Sequence, residues 1–168
     1  MTWFAKAFLK ASLGWLTLGV SVGVAMAAHP VWTVYRLAHV HTMLLGFVAM
    51  MIFGVAYHVI PRFVGFPLYR PALAGAHWWL ANVGLVLMAG GFVARVLAPS
   101  IGTPVVATGG ALSALGAYLF VYLMWRTIDG PAQMSAAAAR AARAVERGAT
   151  RGSRTLTVVA VRSGAGKG

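Results

Sequence analysis

Residues Leu37–Arg62 read LAHVHTMLLGFVAMMIFGVAYHVIPR, and no acidic or basic residue falls between Leu37 and Ile60. A run of this length and apolarity crosses a bilayer as a helix, rising about 1.5 Å per residue through an apolar layer about 30 Å thick. The same run carries His39, His41 and His58. Polar side chains with ligand capacity are costly at membrane depth and mark functional positions there.

The rest of the chain agrees with a membrane setting. Of its 168 residues, 60% are hydrophobic and 10% charged, against about 25% charged in soluble domains. Mean hydropathy is +0.79. Three further apolar segments predict an all-α, integral membrane four-helix bundle, residues 1–127, with spans at about 8–28, 37–60, 73–97 and 104–125. His29-Pro30, Pro61 and Pro99 separate the spans, because the residue before a proline is pushed out of the helical region. Gly19 and Gly23 in the first span, and Gly109, Gly110 and Gly116 in the fourth, predict faces for close helix packing. The first span also resembles a secretory signal ending in Ala25-Met26-Ala27, but its apolar run is longer than a signal needs. A retained helix is the reading adopted.

Residues 128–168 form a basic tail, with a short alanine-rich helix predicted around Arg140, Arg143 and Arg147 and disorder beyond it. Seven of the fourteen Lys and Arg residues lie in this tail. Of the others, Lys6, Lys10, Arg62, Arg70 and Arg126 fall at one end of the predicted bundle, and Arg36 and Arg95 at the other. The asymmetry predicts cytoplasmic termini in a bacterial-type inner membrane. The net charge of +12 is thereby read as topology and attraction to anionic membrane lipid, with no nucleic-acid partner.

Composition narrows the chemistry. The chain has no cysteine, which excludes disulfides, iron–sulfur clusters and thioether-linked haem. Its two acids, Asp129 and Glu146, both lie in the tail, so a carboxylate proton relay within the spans is excluded. His39 and His41 stand two positions apart, and their side chains diverge by about 200° on a regular helix. They serve two flanks and do not chelate one ion together. Haem iron is the natural ligand for neutral imidazole without thiolate or carboxylate neighbours. Gly46, seven residues after His39, is expected to leave room for a macrocycle. Arg36 and Arg95 are expected at a depth suited to its propionates, with Trp32, Tyr35 and Phe47 lining the pocket. His29 is a candidate second axial ligand. His58 and His77 fall at matching depths on consecutive spans, as interfacial residues or as a second metal or haem site.

His39-Val40-His41, Leu45-Gly46-Phe47-Val48, Met51-Ile52-Phe53-Gly54-Val55-Ala56-Tyr57 and Pro61-Arg62 together resemble the tenth helix of the haem-copper oxidase catalytic subunit, subunit I, in particular its cbb3-type version. Pro61-Arg62-Phe63, Gly65, Pro67-Leu68, His77, Trp79-Leu80-Ala81-Asn82 and Gly84 are similar to the loop and next helix of short four-helix subunit I-like proteins. The likeness covers about a third of the chain, Leu37 to Gly91. It implies haem b, one or two, with His39 matching the proximal ligand of the high-spin haem and His41 a ligand of the low-spin haem. It does not carry over the oxidase copper site, so copper and oxygen reduction by this chain alone are not expected. The function implied is respiratory electron transfer or binding of O2 or NO, within a homodimer or with respiratory complex subunits. Two alternatives stand beside it. One is a non-catalytic accessory or assembly subunit docking through the Gly19/Gly23 and Gly109/Gly116 faces. The other is a small copper-handling or transport protein using His58 and His77.

Overall fold

The computed structural model describes residues 1–143 and 145. Helix α1 is Trp3–Ala28. Helix α2 is one continuous rod, Pro30–Phe63, and α3 is Pro71–Leu97. Helix α4 is Pro99–Ile128. All four are long and apolar enough to span a membrane, and no strand occurs among the described residues. Large apolar side chains such as Leu44, Ile52, Trp79 and Tyr118 lie on the outside of the bundle, the surface a bilayer covers. The all-α four-helix membrane bundle read from the sequence is the fold observed, and the protein is a multi-pass membrane protein.

Proline sets the starts. Pro30, Pro71 and Pro99 each occupy the first position of a helix, where a missing N–H costs nothing and φ is already helical. The spans therefore begin earlier than the apolar runs suggest. Pro30 ends α1, whose cap residue is His29, and at once opens α2 as a 3-10 turn over Pro30–Tyr35. Pro104 lies inside α4 and does not start it. Pro61 likewise lies within the last turn of α2, which continues to Phe63. Near a helix end a proline removes one hydrogen bond only. The Pro61 carbonyl itself accepts from Phe66 N at 3.1 Å, closing the turn into Gly65, which takes a left-handed φ of +63°.

Helix α2 is not uniform. Between an α-helical turn at Arg36–His41 and the α-helix Met50–Phe63, residues Thr42–Ala49 form a π-helix. Its i→i+5 bonds take in an extra residue per turn and alter the phase of side chains on either side.

Glycines decide how closely the helices meet. A Cβ on Gly84 would stand 2.6 Å from Ser113 Oγ and 3.0 Å from Gly109 O. One on Gly109 would stand 2.7 Å from Gly84 O and collide with Met88 N, and one on Gly91 would stand 2.7 Å from Val106 N. Helices α3 and α4 thus touch backbone to backbone. On the other flank, Gly19 faces Met43, Gly23 faces the His39 ring and Gly54 faces Leu9, seating α1 against α2. Both small-residue faces are used inside the chain, which corrects the expectation that they dock another subunit. The buried core between the four helices includes Phe4, Phe8, Met50, Tyr57, Leu85 and Leu123.

The described residues from Asp129 onward belong to a separate unit. Within it, 130–143 are helical and 131–143 are exposed. The predicted disorder, together with Arg147, falls on 146–168, outside the described residues.

Gly109→Leu should force α3 and α4 apart and lower stability by about 1–3 kcal/mol or more, the range for overpacked interiors. Gly110→Leu should be nearly silent, since its Cβ would meet only Met88 Sδ at 4.0 Å. Thermal unfolding in detergent compares the two.

Candidate functional site

Side chains in α2 pointing to different flanks line two separate cavities. His39 faces one of about 440 Å³, walled by Leu18 and Val22 of α1, Trp32, Tyr35, Ala38 and Thr42 of α2, and Ala89, Gly90 and Val93 of α3. His41 faces another of about 380 Å³, walled by Leu44 and Leu45 of α2, Met88 of α3 and Gly110, Ser113, Ala114 and Ala117 of α4. Both are in the size range of small-molecule and cofactor sites. The divergence read from two-residue spacing is the one the fold uses, because both histidines precede the π-helical segment.

The two rings differ in their support. His41 Nδ1 lies 2.8 Å from Leu37 O. A carbonyl can only accept, so Nδ1 carries the proton and the Nε2 lone pair is free. The ring rests on Phe92, with centroids 4.8 Å apart. A histidine whose far nitrogen donates to a backbone carbonyl is arranged as metal-binding histidines are. His39 is half-buried, and its Nδ1 is buried without a hydrogen-bond partner. A buried polar atom left unpaired costs about 1–3 kcal/mol. A Cβ on Gly23 would stand 3.1 Å from His39 Cε1 and 3.7 Å from Nε2, so that glycine clears space at the ring edge.

Other expected positions fall elsewhere. Gly46 is buried, and a Cβ there would stand 2.7 Å from Trp15 and 2.9 Å from Leu85. Its space is already filled by those side chains, so it serves helix packing and holds no macrocycle. Trp15 is fixed there by donating from Nε1 to Asn82 Oδ1 at 3.2 Å. At the His39 cavity the open position is Gly90, whose Cβ would meet nothing within 4 Å. The adjacent pair Gly90-Gly91 was the available signal, one glycine buried against α4 and its neighbour turned to the cavity. Trp32 and Tyr35 line the cavity as expected, whereas Phe47 does not. Arg36 and Arg95 are exposed and line neither cavity. His29 is exposed; its ring lies 5.5 Å from that of Trp32 and does not enter the His39 cavity.

His58 and His77 do not form a joint site. His77 is fully buried among Phe8, Phe53, Tyr57 and Phe120, with ring centroids 4.7–5.8 Å away. Its Nδ1 lies 2.9 Å from Tyr57 Oη, and its Nε2 is buried without a partner. His58 instead accepts at Nδ1 from Arg62 Nη1 at 2.8 Å. Tyr57 and His58, successive on a helix, point about 100° apart, which sends one into the core and the other to the rim. Among the described residues no group of three or more His, Cys, Asp or Glu gathers as a metal cluster.

The fold and its divergent imidazoles define a class, a polytopic helical membrane protein with one histidine on each of two intramembrane cavities. Sequence comparison narrows it. The chain is 29% identical to the cbb3-type cytochrome c oxidase subunit CcoN1 of Stutzerimonas stutzeri, over 78% of its own length and 34% of that protein. It is 30% identical to cytochrome c oxidase subunit 1 of Rhodobacter capsulatus, over 58% of its own length and 23% of that protein. No family model matches. The chain is related to subunit I of the haem-copper oxidases, and the relation extends beyond the Leu37–Gly91 segment. It spans about a third or less of these relatives' length.

The Tyr57–His77 contact is separable by mutation. Tyr57→Phe should leave both ring nitrogens of His77 unpaired and cost about 1–3 kcal/mol. Combining it with His77→Leu should cost less than the sum of the two single changes, measured as a double-mutant cycle by unfolding in detergent.

Proposed function

We propose that this chain is a b-type haem-binding membrane protein in which His41, and His39 on the opposite flank, supply axial imidazoles, and that it serves respiratory electron transfer or binding of O2 or NO. The observation that carries this is the pair of cavities, one per histidine, on a helix related to oxidase subunit I. The residues present suit the group. His41 offers a free Nε2 on a ring oriented by Leu37 O. His39 offers a ring with an unpaired buried nitrogen, seated against Gly23, beside an apolar cavity that Gly90 leaves open. Bound haem supplies one-electron transfer when both axial positions are filled and gas binding when one is open.

The protein's own part is to orient the imidazoles. Leu37 O fixes the tautomer of His41, and Phe92 fixes its tilt. Trp15, held by Asn82, closes the helix interface at Gly46. His29 stands outside the His39 cavity, so a second ligand would come from elsewhere. A second copy of this protein and a subunit of a respiratory complex both meet that requirement. An accessory role within such a complex is the second reading, favoured by Arg36 and Arg95, which line neither cavity and so offer no cationic partner to propionates there. The uneven distribution of cations supports an orientation with both termini in the cytoplasm of a bacterial cell.

Protein purified after expression with added haem should show a Soret band and a b-type reduced-minus-oxidised spectrum. His41→Ala should remove one haem equivalent, and His39→Ala/His41→Ala should remove all of it. A carbon monoxide shift of the reduced spectrum reports an open axial position. Absence of any Soret band, with the chain folded, would overturn the haem assignment and leave the accessory reading.

A further inference from the structure

A third cavity, unrelated to the His39 and His41 sites, lies at the end of the bundle where α1 begins and α2 turns into α3. It measures about 620 Å³ and is walled by Thr2, Phe4, Tyr57, Arg62, Phe66 and Leu68, among others. Its interior is apolar and aromatic, and its charged side chain is Arg62. Arg62 Nη1 donates to His58 O at 2.6 Å and lies 2.8 Å from His58 Nδ1. These bonds fix the guanidinium at the cavity wall.

Residues 1–128 contain no Asp or Glu. Arg62 therefore has no counter-anion within the bundle, and Lys6, Lys10, Arg70 and Arg126 share this end with it. An apolar cavity with an oriented guanidinium at its wall, placed where helix ends meet the bilayer surface, matches an anionic head on an apolar tail. Basic pockets between spans take phospholipid head groups in this way, and the guanidinium fork pairs with phosphate oxygens.

We infer that this cavity binds one anionic phospholipid, its phosphate paired with Arg62 and an acyl chain laid against Phe4, Phe66 and Leu68. Native mass spectrometry of the full chain, released from mixed phosphatidylglycerol and phosphatidylcholine nanodiscs, tests it. One phosphatidylglycerol should be retained preferentially. Arg62→Gln should lower its retention roughly fivefold, about the worth of one basic residue at an anionic surface. Lys10→Gln, an exposed cation outside the cavity, should change it little. Thr2→Trp fills the cavity without altering charge, at a helix start where Thr2 makes no side-chain cap bond. It should lower retention as well, and added inorganic phosphate should not displace the lipid. Equal retention of the two lipids would overturn the proposal. So would equal losses in Arg62→Gln and Lys10→Gln, or displacement by phosphate alone.

Discussion

Backbone contact between α3 and α4 at Gly84, Gly91 and Gly109 governs the geometry of the whole bundle. In a bilayer, lipid tails compete with side chains for apolar surface, so helix pairing relies on close packing more than on the exclusion of water. Removing three side chains lets two backbones meet. That contact turns Met88, Ala89, Gly90 and Val93 toward α2, where Met88 lines the His41 cavity and the other three line that of His39. The cavities are what remains when α3 is held by α4 on one side and α1 by α2 on the other.

The buried imidazoles show how such a bundle treats polar groups. His77 is paired with Tyr57 and sealed by aromatic rings, and His41 is paired with a carbonyl one helical turn earlier. His39 has no partner for Nδ1. His77 likewise keeps an unpaired nitrogen, its buried Nε2. Without carboxylates in the spans, the histidines that find partners use a backbone carbonyl, a tyrosine hydroxyl or, at His58, the Arg62 guanidinium. The same shortage of acids leaves Arg62 without a counter-ion within the bundle.

Much of the candidate site was legible in the chain. The HxH spacing gave the divergence of His39 and His41, because a regular helical turn spans those residues. Gly46 illustrates the opposite case. It faces α1 and α3, but Trp15 and Leu85 occupy the space beside it. Arg36 and Arg95 were placed by depth, which sequence supplies, and they miss the cavities by direction, which it does not. His58 and His77 share a depth for the same reason, yet one turns to the rim and the other into the core.

The order of amino acids was enough to establish the four spans, the absence of cysteine, the absence of acids from residues 1–128, and the places of the histidines along the chain. Hydrophobic run length and local backbone chemistry account for all of these. Packing was needed to establish which glycine leaves open volume, which imidazole finds a partner, and that Thr42–Ala49 winds as a π-helix. Each of these is a relation between a residue and the helix packed against it. A missing side chain is a cavity or a contact only once its neighbour is in place.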